Sequence, residues 1–177
     1  MQLEIRVYRN LIMANFNKAI FLDRDGVINK DRNDYVKSIH ELEIFSNIEK
    51  NIKKIKEKGF LVIVVSNQSA IGRNLTSHTE VQKIHDHIQQ YLKKWNIQID
   101  AFYYCPHHPN DDCNCRKPKP GLILQAANDH HIDLSNSWMI GDHDRDIQSG
   151  LNAGCKSIKI SEQTTLSKVL DYILENS

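Results

Sequence analysis

The sequence predicts an α/β fold, a three-layer sandwich in which a mostly parallel sheet carries helices on both faces. Two observations lead there. From about residue 18 onward, short apolar runs alternate with stretches of helical periodicity, the pattern of parallel strands joined by crossover helices. No Pro/Gly-rich linker, low-complexity stretch or internal repeat divides the 177 residues, a length that suits one domain.

The elements follow in chain order. Strands are expected over residues 18–22, 60–65, 101–104, 137–140 and 157–160, each a short apolar run bounded by polar or glycine residues. Between the first two, Ile48, Ile52 and Ile55 recur at helical spacing, and Gly59 supplies the stop signal. Val81, Ile84, Ile88 and Leu92 repeat the pattern, with Thr76 or Ser77 as the cap. Further helices are expected over 122–131, 146–153 and 166–174. The lysines at 50, 53, 54, 56 and 58 read as the solvated face of the first helix, and His78, His85 and His87 as exposed polar positions on the second. Residues 1–17 fit the pattern poorly, although 3–7 suits a short strand; this stretch reads as an N-terminal extension, and Met13 is an alternative start.

Composition excludes several classes of function. Apolar residues make up 40% of the chain, too many for a disordered protein. Twenty-three Lys and Arg against 22 Asp and Glu leave a net charge of +1, which gives no electrostatic footprint for nucleic acid or an acidic membrane surface. The longest aliphatic run, residues 60–65, is far below the roughly 20 residues needed to cross a bilayer. The expectation is a cytoplasmic monomer acting on a small molecule.

The chemistry gathers where strands are expected to end. Asp23-Arg24-Asp25-Gly26 closes the first strand, and in an extended chain residues two apart point the same way. Ser66-Asn67-Gln68-Ser69 follows the second strand, Gly141-Asp142-His143-Asp144-Arg145-Asp146 follows the fourth, and a basic loop holds Arg116 and Lys117. Carboxylates, a hydroxyl and a cation converging on one sheet edge suit phosphoryl transfer through an aspartyl-phosphate with Mg²⁺. Cys105, His107, Cys113 and Cys115 offer a tetrahedral Zn²⁺ set in a loop over residues 105–117. His108 competes with His107, but Cys-x-His mirrors Cys-x-Cys. All four positions being filled, the zinc would be structural. Cys155 stands alone and reads as a structural thiol.

These motifs, in this order, resemble the haloacid dehalogenase-like phosphatase superfamily, whose fold is Rossmann-like. The resemblance implies that Asp23 is the nucleophile and Asp25 the general acid and then base, while Ser66 and Lys117 hold phosphoryl oxygens. Asp23, the backbone carbonyl of Asp25, and Asp142 would bind Mg²⁺, and Asp146 would orient Lys117 or the metal shell. Tyr103-Tyr104-Cys105-Pro106-His107-His108-Pro109 and Cys115-Arg116-Lys117-Pro118-Lys119-Pro120-Gly121 are similar to the zinc-loop branch that holds the D-glycero-D-manno-heptose 1,7-bisphosphate 7-phosphatases and related histidinol-phosphatases. That branch implies a small phosphorylated substrate, a sugar bisphosphate first, with histidinol phosphate or another small sugar phosphate as the alternative. Asn67, Gln68, Ser69 and Arg116 would join the substrate contacts, as would Asp31 and Arg32 with Asn33 or Asp34. The chain departs from the family at Ser66, where Thr is usual, at His143, where Lys or Arg is common, and in a 33–35 stretch one residue longer. The intervals between motifs leave no room for a large cap domain.

Overall fold

In the computed structural model, which describes residues 16–176, strands β1 (Ala19–Leu22), β2 (Leu61–Asn67), β3 (Ala101–Cys105), β4 (Trp138–Gly141) and β5 (Lys156–Lys159) form one parallel sheet in the order β3-β2-β1-β4-β5. The expected strand over 3–7 and the alternative start at Met13 lie outside the described residues. Each strand begins or ends within two residues of its expected limit. The chain builds outward from β1 through β2 to β3, then returns to the other side of β1 for β4 and β5. That reversal between β1 and β4 opens a crevice at the carboxyl ends of the strands, where open α/β sheets bind ligands.

Alternation along the strands divides the apolar residues between two cores. Ile20 and Leu22 face one side with Val62 and Val64, while Ala19 and Phe21 face the other with Ile63 and Val65. The first side is covered by α1 (Ile48–Glu57), α2 (His78–Lys93) and α5 (Leu166–Glu175), through Ile52, Ile88 and Leu170 among others. The second is covered by α3 (Gly121–His130), through Leu122, Ile123 and Ala126, with Ala153 at the end of α4 (Asp144–Ala153) packed at its margin. At about 1.5–3 kcal/mol for each fully buried aliphatic side chain, these faces outweigh surface ion pairs such as Lys54 with Asp171 at 2.7 Å.

Local chemistry sets the helix ends. Ser77 is the cap of α2, its hydroxyl accepting from the Glu80 N–H at 3.2 Å, whereas Thr76 donates to the Lys37 carbonyl. Gly59 has φ +77, a conformation that ends α1 at little cost only for glycine. Helix α4 starts two residues earlier than its apolar periodicity indicates. Its first turn is polar, and the Asp146 carboxylate accepts the His143 N–H at 3.0 Å. Residues 23–47 hold a short 3₁₀ turn (Ile39–Glu41) and isolated bridges of Asn29 with Asp25 and Ile44, with no helix or strand long enough for a cap domain.

One helix residue corrects the expectation. His85 is buried, not exposed: it stacks on Phe102 with ring centroids 4.4 Å apart and meets Tyr104 edge-on. Helical periodicity places it next to Ile84 on the inward face, and an imidazole there behaves as an aromatic core residue. Burial, reinforced by the nearby Arg24 charge, lowers its pKa to about 3.

Because the folded state holds His85 neutral, its contribution to stability is complete above the ordinary histidine pKa and is lost as pH falls toward 3. His85→Phe should therefore flatten the fall in the urea midpoint between about pH 7 and about pH 4.5 relative to the parent protein. An unchanged pH slope would show that His85 is not held neutral by the fold.

Candidate active site

Lys117 organises the crevice. Its side chain is 1% exposed, and its Nζ lies 3.0 Å from Asp23 Oδ1 and 2.7 Å from Asp146 Oδ1 while donating to the Val65 carbonyl at 2.8 Å. The three partners follow β1, begin α4 and end within β2, so one ammonium draws three elements together. The loop that carries Lys117 is itself fixed by Asn67: the Asn67 Oδ1 accepts the Lys117 N–H and its Nδ2 donates to the Lys117 carbonyl, both at 3.0 Å. Asn67, grouped by sequence with the substrate contacts, thus has its amide on the Lys117 backbone.

Asp23 is the first residue beyond β1, nearly buried, and accepts the Arg24 N–H at 2.7 Å on the same Oδ1 that meets Lys117. Burial raises its pKa to about 7; Lys117 opposes that shift, and the Asp146 and Asp25 charges add to it. Asp25 shifts the other way. Burial would raise it, but Arg24, Asn29 and Gln68 together hold it below the ordinary carboxylate value. The extended-chain reading of Asp23 and Asp25 does not hold, because β1 ends at Leu22 and the Arg24 carbonyl accepts the N–H groups of Ile28 and Asn29 in a tight turn.

Two glycines let the acids approach. Gly26 has φ +83, and a Cβ there would lie 2.1 Å from Asp142 Oδ2, so only glycine allows Asp142 to rest against the turn after Asp25. At Gly141 a Cβ would lie 2.4 Å from the Asp146 carboxylate. Asp142 meets the His143 Nδ1 at 2.8 Å, and Asp142, His143 and Asp146 bring one ligand atom each within 4.8 Å of one another. Asp31 is exposed at the rim, its pKa raised by partial burial and then by the Asp25 and Asp142 charges, which places it close to the same acids. Arg32 lies further out, 3.3 Å from Asp34. Ser66 is buried, and its Oγ accepts from Gln68 Nε2 at 2.6 Å, which leaves the hydroxyl proton free for an acceptor in the crevice. Ser69 is buried beside them.

The carboxylates Asp23, Asp25, Asp142 and Asp146 outnumber the buried cations Arg24 and Lys117. A hard divalent cation with oxygen ligands fits such a donor set. The family resemblance assigns Mg²⁺ to Asp23, the Asp25 carbonyl and Asp142, of which Asp142 lies in the cluster with His143 and Asp146.

The cysteine loop forms a separate cluster. Cys105, the last residue of β3, lies 3.6 Å from the Cys113 sulfur and 3.5 Å from His107 Nδ1, which lies 3.2 Å from the Cys115 sulfur. All four ligand atoms are within 4.8 Å of one another, and the thiols are free of disulfides. Tetrahedral Zn²⁺ with bonds of about 2.0–2.3 Å sets its ligands roughly 3.3–3.8 Å apart, so the cluster has the right size. His107 occupies the fourth position, whereas His108 Nδ1 accepts the Asn110 N–H. The loop packs on Gly72, where a Cβ would strike the His108 backbone at 2.3 Å. It leads directly into Arg116, whose buried Nη1 has no partner, and Lys117.

The arrangement can be compared with known proteins. A family model described as HAD-hydrolase-like matches residues 114–172. The D-glycero-β-D-manno-heptose-1,7-bisphosphate 7-phosphatase of Helicobacter pylori (strain J99) is 41% identical over 162 residues, covering 91% of this chain and 92% of the relative. The chain belongs to the HAD-like heptose-bisphosphate phosphatase family. The corresponding α-heptose enzyme of Photorhabdus laumondii is 37% identical, covering 84% of this chain and 86% of its own. Among solved structures, the D,D-heptose 1,7-bisphosphate phosphatase of B. bronchiseptica, complexed with magnesium and phosphate, superposes with a TM-score of 0.81 at 31% identity, covering 90% of this chain and 99% of that one.

Sequence reasoning missed Arg24, fully buried against Asp25, and Asn29, also fully buried. Nothing in a run of Asp-Arg-Asp says that the arginine turns inward; only the turn closed on its carbonyl shows it.

Two outcomes are expected. Protein purified without chelator should hold about one Zn²⁺ per chain by elemental analysis, and Cys113→Ser should lose it; zinc retained undiminished by that variant would remove Cys113 from the site. In Mg²⁺-free buffer, the proton held by Asp23 gives stability that is complete below its unfolded pKa of 3.8 and is lost as pH rises through about 7. Asp23→Asn should consequently gain melting temperature over the parent between about pH 4 and about pH 8. A difference that does not change with pH would refute the burial of that charge.

Proposed function

We propose that the protein is a Mg²⁺-dependent phosphomonoester hydrolase that removes the 7-phosphate of D-glycero-D-manno-heptose 1,7-bisphosphate through a phosphoryl group carried on Asp23. The observation that carries this reading is the buried Lys117 held between Asp23 and Asp146 beside the Cys105/His107/Cys113/Cys115 cluster. Kinship to enzymes named for this substrate supports it.

Both protein donors on Asp23 converge on Oδ1, which leaves Oδ2 to attack phosphorus. As the new oxygen–phosphorus bond forms, the bond to the sugar oxygen breaks, and that oxygen is protonated through Asp25, which its donors keep ionised in the free protein and which receives the proton from the entering phosphate monoanion. Asp25 then takes a proton from water, whose oxygen displaces Asp23 and releases phosphate. Lys117 and the Ser66 hydroxyl neutralise and orient the phosphoryl oxygens. Mg²⁺, when bound, supplies the remaining positive charge and a template for the phosphoryl group. Arg116, which follows the zinc loop directly, would contact the substrate together with Asp31 and Arg32, which are exposed where the sugar would lie. Zinc plays no part in the chemistry, since its four ligands close the site. One chain carries every group invoked, so a monomer suffices, and a reducing cytoplasm would keep the three clustered thiols available to metal.

The test is phosphate release with Mg²⁺ from the α and β heptose 1,7-bisphosphates, histidinol phosphate and fructose 1,6-bisphosphate. One heptose anomer should exceed the others in kcat/KM by at least about tenfold, and Asp23→Asn should have no turnover while still unfolding cooperatively as a folded protein. Preference for histidinol phosphate would reassign the substrate, and an active Asp23→Asn protein, with deamidation excluded, would remove the covalent route.

A further inference from the structure

Arg24 lies between the two carboxylates of the first motif, and the chemistry above gives it no task. Its N–H donates to Asp23 Oδ1, while its guanidinium turns back on Asp25. Nη2 lies 2.9 Å from both carboxylate oxygens, and Nε lies 3.1 Å from Oδ1. The side chain is wholly buried. Asn29 Nδ2 adds a donor to Oδ1 at 2.8 Å, and Gln68 Nε2 adds one to Oδ2 at 2.9 Å while also reaching Ser66. The Arg24 carbonyl accepts the Asn29 N–H at 3.2 Å, so the same residue closes the turn that brings Asn29 to Asp25.

A strand cap in solvent needs none of this. Taking a guanidinium out of water is costly, here with Nη1 left without a partner, and a planar fork on a carboxylate constrains orientation as well as charge. The terminal torsion of an aspartate is otherwise broad. A group that must hand a proton to one oxygen and take one from another gains from being held at a single angle.

We propose that Arg24 is the positioning residue for Asp25: its guanidinium fork sets the plane of the Asp25 carboxylate, with Asn29 and Gln68 completing the frame, so that both proton transfers start from one orientation. The inference rests on the reading of Asp25 as acid and base. Lysine cannot replace the arginine fully, because an ammonium is a point charge without the fork.

The test is a double-mutant cycle of Arg24→Met and Asp25→Asn, with Arg24→Lys alongside, assayed on the heptose bisphosphate and on p-nitrophenyl phosphate. Arg24→Met should lower kcat on the sugar phosphate roughly 10²-fold with KM changed by less than about threefold, and Arg24→Lys should recover part of the loss. In the Asp25→Asn background the same replacement should cost less than about threefold. The first-turnover burst of p-nitrophenolate, whose leaving group needs no proton, should also stay within about threefold of the parent. An equal loss in both backgrounds, or a burst that falls as far as the sugar-phosphate rate, would overturn the inference while leaving the phosphatase reading intact. If Asp25→Asn alone leaves turnover unchanged, the acid–base reading fails first and the role of Arg24 with it. Where Arg24→Met does not fold, Arg24→Gln, which keeps a donor for Asp25, carries the same cycle.

Discussion

A lysine with almost no exposure to water is the constraint on which the site depends. An ammonium removed from solvent needs compensating charge, and Lys117 finds it in Asp23 and Asp146, 3.0 and 2.7 Å away, while donating to the Val65 carbonyl. Each acceptor belongs to a different element, so satisfying one charge fixes the mutual position of the ends of β1 and β2 and the first turn of α4.

Lys117 lies on a segment with no strand or helix of its own, and two devices make up for that. The Asn67 amide binds both backbone groups of Lys117, and the Cys105/His107/Cys113/Cys115 cluster ties the preceding loop to the end of β3. The zinc set and the catalytic acids therefore divide the work of the two metals. Soft thiolates close a tetrahedron and hold the loop; hard carboxylates, pressed close by Gly26 and Gly141, hold an excess of negative charge that a divalent cation relieves.

The opposite displacements of Asp23 and Asp25 belong to the same arrangement. Two carboxylates two residues apart experience different surroundings because the chain turns between them: Asp23 is desolvated among other acids, while Asp25 is surrounded by donors.

The strands, the helices and the ordered motifs could be read from the chain because they depend on local patterns: period-two and helical spacing, glycine stops, and chemistry placed just after apolar runs. The zinc ligands were legible for the same reason, all four lying within eleven residues and His107 preferred to His108 because Cys-x-His mirrors Cys-x-Cys; the folded loop brings His107 into the cluster and turns His108 to the Asn110 N–H. What the chain by itself could not settle were the residues whose role comes from partners distant in sequence or from a turn. His85 shares the apolar face by spacing, four residues after Val81 and three before Ile88, but its polarity hid this until Phe102 and Tyr104 were seen to close over it. Asn67 became a clamp on a backbone fifty residues away, and Arg24 a buried brace for its own neighbour. Side-chain direction at such positions is decided by which surfaces the sheet and helices bring together, and only tertiary packing supplies that.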